Sequence, residues 1–339
     1  MNIFINLKKY KQMKMKIFFA AVLMTALACG CGQKMNCPEF EPVDGDNVTL
    51  DVSVPLSSGT KVTDVAGEAT VNSLQVFVFR KDGVLEAEAR DDANTLSLSC
   101  TTGPKDVYAV ANAPRITGIN TLNSLKSKVS ALSENSPTSF VMSGVKDVTL
   151  SGPTSVEIEV KRLVARVCIR KITNNFTLEQ YRTGVVKIKG IYLLNVQSSF
   201  QYLGDLPALT WTNLHSFNSN AIPDLLYSGV MNTALNYGTP YETSNYFYCY
   251  PNPTADDTSE AGTGARFTRL VVELDINGKS YYYPVSIPGI ERNKSYEITE
   301  LKITRLGAAS PDEPVSSLTA TFTLKVLDWE PGATLDPTI

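Results

Sequence analysis

The sequence predicts an all-β protein: two β-sandwich domains in series, with one short helix in the first. Short apolar or alternating runs recur along the chain with turn residues about every ten positions, the spacing of sandwich strands. Two such sets follow one another and join near residues 160–163. The expected organisation is a leader at 1–30, a first sandwich at 31–162 and a second at 163–339.

The leader comes first. Lys14 and Lys16 precede an uncharged run at 17–28, which ends in small residues before Cys29-Gly30-Cys31. Basic residues, a short apolar run and small residues make a secretory signal. The run is too short to span a bilayer, which takes about 20 apolar residues. A cysteine after Ala28 or Gly30 is similar to the lipobox of bacterial lipoproteins, so Cys29 and Cys31 are the two candidates for acylation. Met13 or Met15 is a more natural start than Met1, because residues 1–12 look like upstream translated sequence.

Residues 48–54 alternate (Val48, Leu50, Val52, Val54) and predict a half-buried strand that Pro55 closes. A loop rich in Ser, Gly, Thr, Asp and Ala fills 56–70, with Lys61 its one basic residue. Residues 74–79 are apolar on both faces, as in a central strand, and turn at Asp82-Gly83. Further strands are expected at 95–100, 107–111, 139–142 and 156–160. Leu122, Leu125, Val129 and Leu132 recur at helical spacing behind a Thr121 cap. The second set opens at 163–169 and continues at 185–196, 246–250, 267–276, 281–287, 295–304 and 319–327. Asn277-Gly278 is the strongest hairpin signal of the chain.

Composition narrows function. The net charge is −3, with both signs interspersed, so no basic stripe suits a nucleic acid. Cys37, Cys100, Cys168 and Cys249 lack C-x-x-C spacing; the last three lie in apolar runs and read as buried thiols. The single histidine, His215, lies in a polar stretch and reads as a surface residue, which excludes two-histidine zinc sites. Asp256-Asp257 reads as part of a solvated loop. Phosphate-cradling and nucleophile-elbow motifs do not occur, and no catalytic, cofactor-binding or metal-binding residue is nominated. Of 15 tyrosines, 13 lie beyond residue 180 and read as strand formers with one wet end.

Several segments carry a resemblance: VNSLQVFVF at 71–79, DVYAVANAP at 106–114, RLVARV at 162–167, FYCYPN at 247–252, RNKSYEI at 292–298 and VLDWE at 326–330. In this order they resemble the fimbrillin family of Bacteroidales, subunits of type V pili. The resemblance implies two transthyretin-like sandwiches, lipoprotein export to the outer membrane and assembly by β-strand exchange. It implies a non-enzymatic structural or adhesive subunit without cofactors. Its expected partners are other fimbrial subunits, the outer membrane through the lipid, and a host or bacterial surface ligand. The removable strand maps to 48–54 and the protease-sensitive loop to 56–70, where Lys61 stands in place of the family's usual arginine. Between its two prolines the C-terminal tail leaves only 333–336, too short for a regular donor strand, and 319–327 reads as the last strand of the second sandwich. A stalk role ranks ahead of an anchor or accessory role. The alternative is a glycan-binding outer-membrane lipoprotein, motivated by the tyrosine-rich second half and Trp211.

Overall fold

The computed structural model describes residues 45–55, 65, 67–204, 210–254, 257 and 265–329. Its first strands are β1 (Asn47–Ser53), β2 (Leu74–Arg80), β3 (Leu85–Asp91), β4 (Thr95–Thr101) and β5 (Gly103–Ala111). Helix α1 (Leu122–Lys126) and β6 (Val129–Ala131) follow, then β7 (Met142–Leu150), β8 (Thr154–Glu157) and β9 (Lys161–Arg162). One sheet runs β4-β1-β8, the other β3-β2-β5-β7-β9. Leu50, Val52 and Val54 meet Leu74, Val76, Val78, Leu98, Val107, Ala109 and Ile158 between them in one apolar core.

β2 is buried on both faces, as its unbroken apolar run predicts. Phe77 and Phe79 point away from that core and are covered by Ile116, Ile119, Leu125, Leu132 and Phe140. The cover is not the single long helix that 122–132 predicts. A capping box between Thr121 and Ser124 starts α1, but the helix ends at Lys126. Val129–Ala131 instead pairs as β6, and Leu132 enters a 3₁₀ turn. Tertiary strand pairing overrides the helical spacing there. The strand expected at 139–142 also shifts: Phe140 and Val141 are core residues leading into β7.

The second set comprises β10 (Ala165–Ile169), β11 (Ile172–Asn174), helix α2 (Glu179–Arg182), β12 (Val186–Leu194), β13 (Val196–Gln197), β14 (Ser199–Gln201) and β15 (Trp211–Thr212). After helix α3 (Pro223–Leu226) come β16 (Thr233–Ala234), β17 (Asn245–Cys249), β18 (Thr268–Ile276), β19 (Lys279–Ile287), β20 (Lys294–Ile303) and β21 (Ala320–Asp328). β20 lies between β10 and β11 on one side and β21 on the other, with β17 beyond β10. The facing sheet runs β16-β12-β18-β19. Asn277 (φ 53°) and Gly278 (φ 86°) make the β18–β19 turn, a backbone conformation that suits this pair.

The two strand sets share packing. Phe140 of the first set touches Tyr248 and Trp329 of the second, and β6 pairs antiparallel with β14. Cys100, Cys168 and Cys249 are free and buried, as expected, and burial pushes their thiols up to about 11, 12 and 12. Tyr192, Tyr248, Tyr250, Tyr283 and Tyr296 are core residues.

Candidate functional site

Two features stand out in the first strand set: the slot that holds β1, and the charged junction beside it. β1 is the central strand of its sheet. It pairs antiparallel with β4 over its full length, Asn47 to Thr101 through Ser53 to Thr95. On the other side Leu50–Ser53 runs parallel to Thr154–Glu157 of β8. Its inward side chains Leu50, Val52 and Val54 are at most 1% exposed. Its outward Thr49 and Asp51 are exposed. A strand in this place contributes both a ladder on each side and about 1.5–3 kcal/mol for each buried aliphatic side chain. Taking it away would uncover Leu98, Cys100 and Val156 and two rows of backbone groups. Cys100 lies directly across from Val48.

The chain after β1 returns to the described residues at Val65, Gly67 and Glu68. Glu68 is 1% exposed, although its loop composition suggests a solvated carboxylate. Its Oε2 accepts from Arg166 Nη1 at 2.9 Å and from the Trp329 indole Nε1–H at 3.3 Å. Its Oε1 accepts from the Tyr248 hydroxyl at 2.6 Å. Arg162 Nε donates to the Glu68 carbonyl at 3.0 Å, and Arg162 Nη1 to the Trp329 carbonyl at 2.9 Å. The Trp329 ring lies 5.8 Å from Tyr248 at 23° and under the Arg162 guanidinium at 4.4 Å. A buried ion pair of this kind needs its other polar atoms paired as well: Tyr248 and Trp329 donate to the carboxylate, and Arg166 Nε donates to Ser295 Oγ at 3.0 Å. The sequence carried one signal for it: Arg162 and Arg166 interrupt the apolar run RLVARV, and a buried strand cannot hold such charges without carboxylates.

β21 differs from every other long strand in exposure. Phe322 is 45% exposed, Val326 53% and Leu327 37%. It closes its sheet as the sequence predicts, but it is an edge strand with polar Thr321, Thr323 and Lys325 opposite apolar Phe322, Leu324 and Val326.

The acylation candidates Cys29 and Cys31 and the processing candidate Lys61 lie outside the described residues. Trp211 is half-buried in β15, paired with Gln197. His215 is not the plain surface residue its polar neighbours suggest: its Nδ1 lies 2.6 Å from Asp312 Oδ2. Asp312 also takes Arg269 Nε at 2.8 Å, Asn195 Nδ2 at 2.8 Å and an ion pair from Arg266. Asp257, expected in a solvated loop, pairs with Arg266 and Arg269. Burial raises the Asp312 carboxyl, but the hydrogen bonds from His215, Asn195 and Arg269 outweigh it and hold it down to about 2. This cluster pins the 257, 266 and 312 loops together.

Known proteins resemble the chain along most of its length. The major fimbrium subunit FimC of Porphyromonas gingivalis is 26% identical, over 90% of this chain and 67% of that protein. A crystal structure of a fimbrilin, FimA, from Porphyromonas gingivalis superposes with a TM-score of 0.60 at 17% identity, over 85% of this chain and 99% of the other. A proposed cell adhesion protein from Bacteroides eggerthii gives 0.62 at 19% identity, over 84% and 97%. These structures share the β-sandwich fold. Residues 47–161, from the start of β1 to the start of β9, match the family of the major fimbrial subunit protein (FimA).

Proposed function

We propose that the chain is a structural subunit of a cell-surface fimbria, exported as a lipoprotein through Cys29 or Cys31 and joined to its neighbours by strand exchange. The family that residues 47–161 match is one of major fimbrial subunits. The observation that carries the reading is the place of β1: a short alternating strand, central in its sheet, followed by the loop that holds Lys61. Cutting that loop leaves β1 attached only by non-covalent contacts, and a strand of the same pattern from another subunit restores what its loss uncovers. β21 of a second copy has that pattern. Ala320, Phe322, Leu324 and Val326 on one face stand against Val48, Leu50, Val52 and Val54 in the slot, and threonines and lysine take the outward positions. The two sandwiches, 31–162 and 163–339, then have separate tasks: the first receives a strand, the second supplies one. A stalk role follows, because a subunit with both an acceptor slot and a donor strand extends in two directions.

The test is the N-terminus and intact mass of the protein from native fimbriae. A chain that begins just after Lys61 is the expected result. A chain that still begins at an acylated cysteine within assembled fimbriae overturns strand removal and leaves the subunit as a basal anchor.

A further inference from the structure

Trp329 presents a contrast that strand exchange alone does not explain. Most of the strand ahead of it is exposed, with only Ala320 buried and Leu324 half-buried, yet Trp329 is 1% exposed. Its backbone N–H donates to the Asn293 carbonyl at 3.1 Å, and its ring is boxed by Tyr248, Phe140 and Arg162. β21 is therefore held by its ladder to β20, by Ala320 and Leu324 against the core and, at its far end, by the Lys294–Asp328 ion pair and a plugged indole. That indole donates to Glu68, and Glu68 belongs to the segment between Lys61 and β2. The part of the chain that reports whether the loop is whole thus touches the part that must leave if β21 is donated.

We infer that Glu68 is the positioning residue of a latch: it keeps Trp329, and with it β21, on its own subunit while the chain is uncut, and cutting ahead of Glu68 loosens that hold. Before the cut the Glu68 segment is tethered at both ends, by β1 and by β2. Afterwards it has one tether, so leaving the junction gains chain entropy that the closed loop denied it. Arg166 keeps Glu297 in range at 3.8 Å and its Nε bond to Ser295 Oγ at 3.0 Å, so the departure of Glu68 leaves the guanidinium partly compensated. Once Glu68 leaves, the buried indole N–H loses its carboxylate acceptor, which favours withdrawal of the plug. A subunit would then offer its donor strand only after its own acceptor strand has been freed.

The purpose of the latch rests on the strand-exchange reading, but its test does not. Hydrogen exchange followed by mass spectrometry is measured on the purified uncut chain, comparing wild type with Glu68→Gln and Trp329→Phe. Trp329→Phe keeps an aromatic ring in the box while removing the N–H donor and part of the buried ring volume. A wild-type chain carrying a specific protease sequence after Lys61 is measured before and after cleavage. Losing one hydrogen bond to a charged group should speed exchange across residues 320–328 by about tenfold. The expected result is that rise in both variants and in the cut chain, with β18 at 268–276 unchanged. Unchanged exchange in β21, or an equal rise in β18, overturns the latch; if Glu68→Gln does not fold, Trp329→Phe decides. Polymers that form without any change in β21 exchange also overturn the latch while strand exchange stands. The expected rise in a cut chain that never polymerises supports the latch and removes strand exchange.

Discussion

Asp312 is the residue whose chemistry is most exposed to test. Its folded carboxyl titrates near 2, against an ordinary 3.8, so folding stabilises the ionised form. That contribution is complete above about pH 4 and fades as pH falls toward 2, and a shift of this size is worth about 2 kcal/mol. Asp312→Asn is therefore expected to destabilise the chain at neutral pH and to flatten the loss of stability between about pH 4 and 2, read by urea unfolding at a series of pH values. Neither Asp312 nor Glu68 could be found from neighbouring residues. Both sit in polar stretches that read as solvated loops, and their partners lie far away: Arg269 for one, Arg166 for the other. The legible half of each pair is the arginine in an apolar strand, because a charge within a buried run demands an opposite one.

Among the elements, β1 and β21 carry opposite expectations. Leu50 is fully buried between two sheets, so Leu50→Ala should cost about 2–5 kcal/mol in the uncut chain, measured by urea unfolding. Val326 is 53% exposed, and Val326→Lys should change the stability of the single subunit by no more than about 0.5 kcal/mol. In a neighbour's slot the same lysine would face an apolar core, so polymers counted by electron microscopy should disappear. Equal polymer yield from the variant would mean that β21 does not enter the slot. The strands were largely legible because period-2 alternation and the Asn277-Gly278 turn are local signals. β3 was not: its LEAEARD sequence alternates, but Ala and Glu favour helix over strand, and it forms because β2 offers it an edge. That β1 is central was also hidden, since its parallel partner β8 lies about a hundred residues away and parallel pairing leaves no turn between the strands to read.

For the molecule as a whole, Cys100 is a built-in reporter. The chain downstream of Lys61 contains only Cys100, Cys168 and Cys249, all buried, with thiols raised to about 11, 12 and 12. With β1 in place none should react with a maleimide at neutral pH; with β1 removed Cys100 alone should, and a strand added back should protect it. Labelling of Cys168 or Cys249 instead would mean that the second strand set opens and the first does not. The direction of β1 has a mechanical consequence. It is flanked on both sides by ladders lying along one axis. Tension pulled along a strand in that position loads every rung at once, whereas a strand lifted from an edge, as β21 is placed, opens one rung at a time. A filament joined through the β1 slot would thus be assembled by peeling and broken only by shearing: easy to build from single subunits, and hard to pull apart once under load.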